Sequence, residues 1–170
     1  MHIRDARLAD LPQILAIYND VIATSTAVYC DQPSTLEERQ AWFEGRRALG
    51  YPVLVAEYGD EVVGFASFGD FRAFPGFRYT VEHSVHIHRE HRGRGIGEHL
   101  LLALFPRAQA LGKHVMVGGV DAANEGSVRF HERLGFSKVG HMPQVGYKFG
   151  RWLDLVFLQR YLDAPDSPRD

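Results

Sequence analysis

The sequence predicts an α/β or α+β domain in which helices cover a sheet. Three observations carry this. Segments with strand-like patterning alternate with segments whose apolar residues fall at helical spacing. An early hairpin signal, Gly59-Asp60, joins two strand-like runs, so part of the sheet is antiparallel. The chain has 170 residues with 45% hydrophobic and 24% charged content, enough for one domain with a sizeable core.

Taken in order, Ile3 to Leu8 reads as a first strand. Asp10 reads as a helix N-cap with Gln13 as its capping-box partner, Pro12 in the tolerant first turn, and Leu11, Ile14, Leu15, Tyr18 and Ile22 at helical spacing. Thr24 to Ser34 lacks periodicity and reads as a loop. Ser34-Thr-Leu-Glu37 is a capping-box pattern opening a second helix to about Ala48. Pro52 to Tyr58 and Glu61 to Phe68 are the hairpin strands. Gly69 to Arg78 is an aromatic, arginine-bearing loop, and Tyr79 to His88 is a strand.

A helix is expected from Gly95 to Leu111, kinked or broken near Pro106, because an interior proline costs ~3 kcal/mol and a backbone bond. Val115 to Val120 reads as a buried strand and Asn124 to Leu134 as a helix stopped by Gly135. Strands Phe136 to Gly146 and Trp152 to Tyr161 follow. The domain is expected to span 1–162, with 163–170 a polar, proline-containing disordered tail.

The most informative run is Arg92-Gly93-Arg94-Gly95-Ile96-Gly97. It follows a strand and opens a helix. Glycines let a ligand approach the backbone, and free N–H groups at a helix start favour a phosphate. The net charge of −2 gives no global pull toward nucleic acid or an anionic membrane, so any anion site is local. No apolar run reaches the ~18–20 residues of a membrane span. One cysteine, Cys30, forms no intrachain disulfide, which suits a reducing cytoplasm. With no visible base partner Cys30 reads as inert. The histidines at 83, 86, 88 and 91 invite a zinc reading, but strand alternation splits them between two faces and no second ligand cluster stands at metal spacing. No metal is expected.

The glycine turn, the box Asn124-Glu-Gly-Ser127-Val-Arg-Phe-His131-Glu-Arg-Leu134-Gly135-Phe136 and the stretch Met142-Pro-Gln-Val-Gly146 together resemble the GCN5-related N-acetyltransferases, the GNAT superfamily. Within it the chain is most similar to the phosphinothricin acetyltransferase group, including enzymes that acetylate methionine sulfoximine and methionine sulfone. The resemblance runs from Ile3 to about Leu162. It implies a bent, mixed, mostly antiparallel sheet of about seven strands, splayed between the fourth and fifth and flanked by about four helices. It also implies acetyl-CoA as co-substrate. The thioester arm would lie in the splay against the backbone of Val85, His86 and Ile87. The pyrophosphate would sit on the turn Arg92 to Gly97, with Gly93, Arg94, Gly95, Ile96, Gly97 and Glu98 as its cradle. Asn124 would touch the cofactor, and homodimers are expected.

Acetyl transfer requires an amine freed of its proton, a polarised carbonyl and a leaving sulfur that is protonated or otherwise stabilised. Glu82, on the strand before the turn, is the candidate base, with an ammonium anchor as the alternative. His131 stands where many superfamily members carry a tyrosine. It is a candidate acid toward sulfur, or else a histidine that only hydrogen-bonds the core. An amino-acid acceptor carries a carboxylate that arginine binds well. The loop Arg72, Phe74, Pro75, Gly76, Phe77 and Arg78 is therefore the candidate acceptor site, and Tyr29 reads either as closing that pocket or as packing. The expected activity is acetylation of the α-amine of small amino acids or toxic analogues. Polyamines, aminoglycosides or a protein N-terminus are alternative acceptors, and a CoA-binding sensor without catalysis is the rival class.

Overall fold

The computed structural model describes residues 1–163; the expected tail lies outside the described residues from 164 on. Seven strands form one sheet: β1 (His2–Asp5), β2 (Val53–Tyr58), β3 (Glu61–Asp70), β4 (Thr80–Ile87), β5 (Val115–Asp121), β6 (Ser137–Lys148) and β7 (Arg151–Tyr161). Their spatial order is β1-β2-β3-β4-β5-β7-β6. All pairs are antiparallel except β4 with β5. Four α-helices complete the fold: α1 (Leu11–Thr24), α2 (Leu36–Ala48), α3 (Ile96–Ala110) and α4 (Glu125–Arg133).

Alternation along the strands builds two cores. On one face Leu11, Ile14 and Ile17 of α1 and Phe43 of α2 pack on Val53, Val55, Val62 and Phe65. On the other, α3 buries Ile96, Leu100, Leu101 and Leu104 against Leu54, Val63, Ala66, Val81 and Met116. Most of β3 is buried, as a central strand covered on both faces must be.

The β4–β5 pairing is short. Only Thr80, Val81 and Glu82 pair, with Val115, Met116 and Val117. Beyond Glu82, β4 still pairs with β3 through Ile87, while β5 pairs with β7 through Asp121. The two strands therefore separate, and the sheet opens into a V from Glu82 onward.

Several local expectations are corrected. The first strand ends at Asp5, because a 3-10 turn occupies Leu8–Asp10. Asp10 occupies the N-cap of α1 as expected but makes no side-chain cap bond. Its carboxylate is taken by Arg4, at 2.7 and 2.9 Å, and by the Arg7 N–H at 2.7 Å. The Arg4 guanidinium holds Asp10 below the usual carboxylate range. Gln13, expected in the capping box, instead reaches the hairpin and accepts from the Val62 N–H at 2.8 Å.

The capping box of α2 is shifted by one residue. Thr35 accepts from the Glu38 N–H at 3.2 Å, and Glu38 accepts from the Thr35 N–H at 2.8 Å. The cause is Asn19, which exchanges two bonds with the backbone of Ser34 and holds it outside the helix. Pro106 breaks nothing, since α3 runs unbroken through it. The carbonyl it strands belongs to Leu102, on the exposed side of the helix, where solvent can satisfy it. Asp163, assigned to the tail, pairs with His114.

Candidate active site

The V between β4 and β5 opens into a cleft of about 890 Å³. Its walls contain Glu82, Val85, His86, Ile87, Arg92, Gly93, Gly95, Ile96, Gly97, Glu98, Asn124 and His131. The structure thus brings together twelve of the residues singled out from sequence. Arg94 is outside the lining, as are Arg72, Phe74, Pro75, Gly76, Phe77 and Arg78. A 3-10 turn at Pro75–Phe77 carries that loop into solvent, and Phe74 is 75% exposed. The Arg78 guanidinium lies on the Tyr79 ring and donates to the Pro75 carbonyl. Only Arg72 is felt in the cleft, through its charge on Glu82.

At one end of the cleft the glycine turn has the geometry of an anion cradle. Gly93 and Gly95 have φ of +74° and +75°, and a Cβ at Gly93 would meet nothing within 4 Å. The chain there is left-handed and open, which glycine adopts without strain. Gly95 is the N-cap of α3 and offers no side chain to its first amides. Arg92 donates from Nε to the Ile87 carbonyl at 3.3 Å, and Arg89 is drawn away to pair with Asp20 of α1. Asn124 caps α4, accepting from the Ser127 N–H at 3.0 Å, so two helix N-termini open on the cleft. The backbone of Val85 to Ile87 has no partner in β5. Together these suit a diphosphate joined to an extended, amide-bearing arm.

Glu82 and His83 face opposite sides of the sheet, and two adjacent glycines of β5 make room for them. A Cβ on Gly119 would stand 3.2 Å from the Glu82 carboxylate. A Cβ on Gly118 would stand 2.8 Å from His83 Nε2 and 2.9 Å from His131 Nε2. Burial raises Glu82 above the ordinary glutamate range, and the Arg72 charge only partly opposes this.

His83 is a residue the sequence reading missed as a partner. Its Nε2 lies 3.1 Å from Nε2 of His131, with the rings stacked 5.1 Å apart. His131 Nδ1 contacts the Ser127 carbonyl at 2.7 Å. A carbonyl only accepts, so in neutral His131 the proton is on Nδ1 and Nε2 accepts from His83. Both imidazoles resist protonation because they are desolvated, and His83 falls to about 3. Phe130 and Phe136 wall the pair.

The opposite wall was not foreseen either. Tyr18, Arg39, Trp42, Arg46 and Phe65 line it. The Arg39 guanidinium sits 4.0 Å from the Tyr18 ring centre and 4.6 Å from that of Trp42. His86 packs between Tyr18 and Phe65, and its burial lowers it to about 4. The result is an aromatic wall bearing fixed positive charge on the Glu82 side.

Comparison with known proteins follows the same line. The acetyltransferase (GNAT) family model matches residues 14–136. An L-methionine sulfoximine/L-methionine sulfone acetyltransferase of Pseudomonas aeruginosa is 56% identical over 166 residues, covering 97% of this chain and 96% of its own. A phosphinothricin N-acetyltransferase of Alcaligenes faecalis is 36% identical, covering 97% and 84%. The structure of a Salmonella typhimurium acetyltransferase with its cofactor acetyl-CoA superposes with a TM-score of 0.96 at 50% identity, covering 99% of this chain and 98% of that one. A sheet that opens after Glu82, a glycine cradle at the mouth of the opening and these relatives lead to one conclusion: the chain belongs to the GNAT family of acetyltransferases.

Proposed function

We propose that the protein moves the acetyl group of acetyl-CoA onto the α-amine of small amino acids and their toxic analogues, with methionine sulfoximine, methionine sulfone and phosphinothricin as acceptors. The observation that carries this is the half-buried Glu82 carboxylate, its proton affinity raised, between the glycine cradle and a cationic aromatic wall. The substrates named for the Pseudomonas and Alcaligenes relatives support the acceptor class.

Bound acetyl-CoA supplies an activated thioester carbonyl. Val85, His86 and Ile87 offer the open strand edge to its arm; Gly93 to Glu98 and Asn124 receive its phosphate-bearing part. Glu82 takes the first proton from the acceptor ammonium, and its raised proton affinity narrows the gap to the amine. The freed nitrogen attacks the carbonyl carbon directly, in a ternary complex. His131 acts on the leaving sulfur as one half of the pair with His83. As the tetrahedral species collapses, His131 Nε2 releases the His83 N–H, takes the second N–H proton and returns it to sulfur as the C–S bond breaks. Arg72, at the rim, holds the acceptor carboxylate while tempering Glu82.

Release of free thiol from acetyl-CoA across a panel of amines tests the assignment. Turnover is expected with methionine sulfone and methionine sulfoximine and not with spermidine or kanamycin. Tight CoA binding with no turnover on any amine would leave a sensor instead.

We also place the enzyme in the cytoplasm as a homodimer. Support for the dimer is the late hairpin, where Val139, Val145, Tyr147, Phe149 and Trp152 are each about half exposed or more. Trp152 itself is 62% exposed. Trp152→Glu is expected to halve the mass measured by light scattering; an unchanged mass removes this face from the interface.

A further inference from the structure

Along β6 nearly every residue is exposed, and only Gly146 and Lys148 are buried. They are two apart and so share a face, the one turned toward the segment between α1 and α2. Lys148 has no exposed surface. Its ammonium donates to three backbone carbonyls: Ile22 at 2.7 Å, Ser25 at 2.7 Å and Val28 at 2.8 Å. An ammonium has three N–H donors and no acceptor, so this arrangement uses all of them. Two of the carbonyls end α1, where a helix concentrates partial negative charge. The third lies in the following loop. The charge is met chiefly by peptide dipoles, with Asp31 acting at longer range.

The same loop is tied down at two further points. Thr26 donates to Asp121 at 2.6 Å, and Tyr29 donates to the Asp154 carbonyl at 3.2 Å. A Cβ on Gly146 would overlap the Tyr29 ring, so glycine there admits the aromatic. The loop then presents Ala27 and Val28 to the cleft, whose lining also includes Glu82 and Trp42.

We infer that Lys148 is a positioning residue for the acceptor. It fixes the end of α1 and the loop through Val28, so that the wall facing Glu82 is in place before the amine arrives. Pre-set walls matter because small misplacements of an acceptor cost rate steeply. None of the three Lys148 acceptors belongs to the glycine cradle, which α1 meets instead through Asp20 with Arg89 and Arg92, so we assign the clamp to the acceptor side. The inference rests on the reading that the acceptor enters on the Glu82 side.

The test compares wild type with Lys148→Met, which keeps the stem and removes the charge, and Lys148→Arg, which keeps the charge but replaces three donors on one nitrogen with a larger planar fork. With methionine sulfone as acceptor, KM for the amine should rise about tenfold in the Met variant and less in the Arg variant, while KM for acetyl-CoA stays within about twofold. Amide hydrogen exchange over residues 25–29 should quicken while α3 keeps its protection. Equal rises in both KM values, or an unmoved acceptor KM, would overturn the inference. If the Met variant does not fold, the Arg variant decides by the same split. If wild type does not acetylate methionine sulfone, the proposed acceptor class fails, and the exchange comparison still decides whether Lys148 holds the loop.

Discussion

Glu82→Gln is expected to lower kcat by about 10²–10⁴-fold, the range of a lost general base. The side chain keeps its shape and its place beside Gly119, so acetyl-CoA binding should be unchanged. In wild type the acid limb of kcat/KM belongs to Glu82. Activity is present when the carboxylate is ionised and falls as pH drops through its folded value, which burial has raised above 4.5. In the variant that limb should disappear. The stability effect has the opposite sign. A carboxylate whose proton affinity is raised on folding binds more protons folded than unfolded, so stability falls as pH climbs from the unfolded value through the folded one. At neutral pH the ionised Glu82 is a burden on the fold, and Glu82→Gln should melt no lower than wild type. A variant that kept full kcat, or kept the acid limb, would remove Glu82 as the base.

Gly118→Ala should be nearly as damaging for a different reason. The added methyl would press on both imidazoles, at 2.8 and 2.9 Å. The rings cannot step aside freely, because Phe130 and Phe136 pack against them. Overpacking of this kind costs roughly 1–3 kcal/mol, and the 3.1 Å contact between the rings is the first thing lost. We expect a lower Tm together with a fall in kcat at saturating acetyl-CoA. Gly119→Ala is the milder companion, since its closest approach is 3.2 Å, to the Glu82 carboxylate, and Leu155 and Phe157 stand at ordinary contact distance. Equal kcat in wild type and Gly118→Ala, measured alongside the imidazole shifts by NMR, would show that the pair has no part in turnover.

Much of the fold was legible because its signals are local. The Gly59-Asp60 hairpin, the glycine turn and Gly135 after α4 are each decided within a few residues. Asp10 does stand at the N-cap of α1, but Arg4 takes the side chain that should have capped it, and Asn19 holds Ser34 outside α2. The site divides in the same way. The cradle and Glu82 lie on one strand–turn–helix unit and could be read from it. His83 and His131 are 48 positions apart, and nothing in either segment announces the other. Arg39 and Arg46 look like solvated helix arginines. Their burial follows from where α2 lands on the sheet. Lys148 sits in an otherwise exposed strand, and its three acceptors come from the other end of the chain.

The unbroken ladder between β5 and β7 carries a consequence of its own. It runs from Val115–Tyr161 to Asp121–Leu155 without a shift, while β4 lets go of β5 after three pairs. Gly118 and Gly119 serve opposite faces, so a slip of one residue would put Val117 or Val120 where one of the two clearances is needed. The strand that makes room for Glu82 and the two imidazoles is therefore indexed from its far side. The antiparallel neighbour β7 acts as a ruler for β5, and substitutions that loosen β7 should misalign the site without touching it.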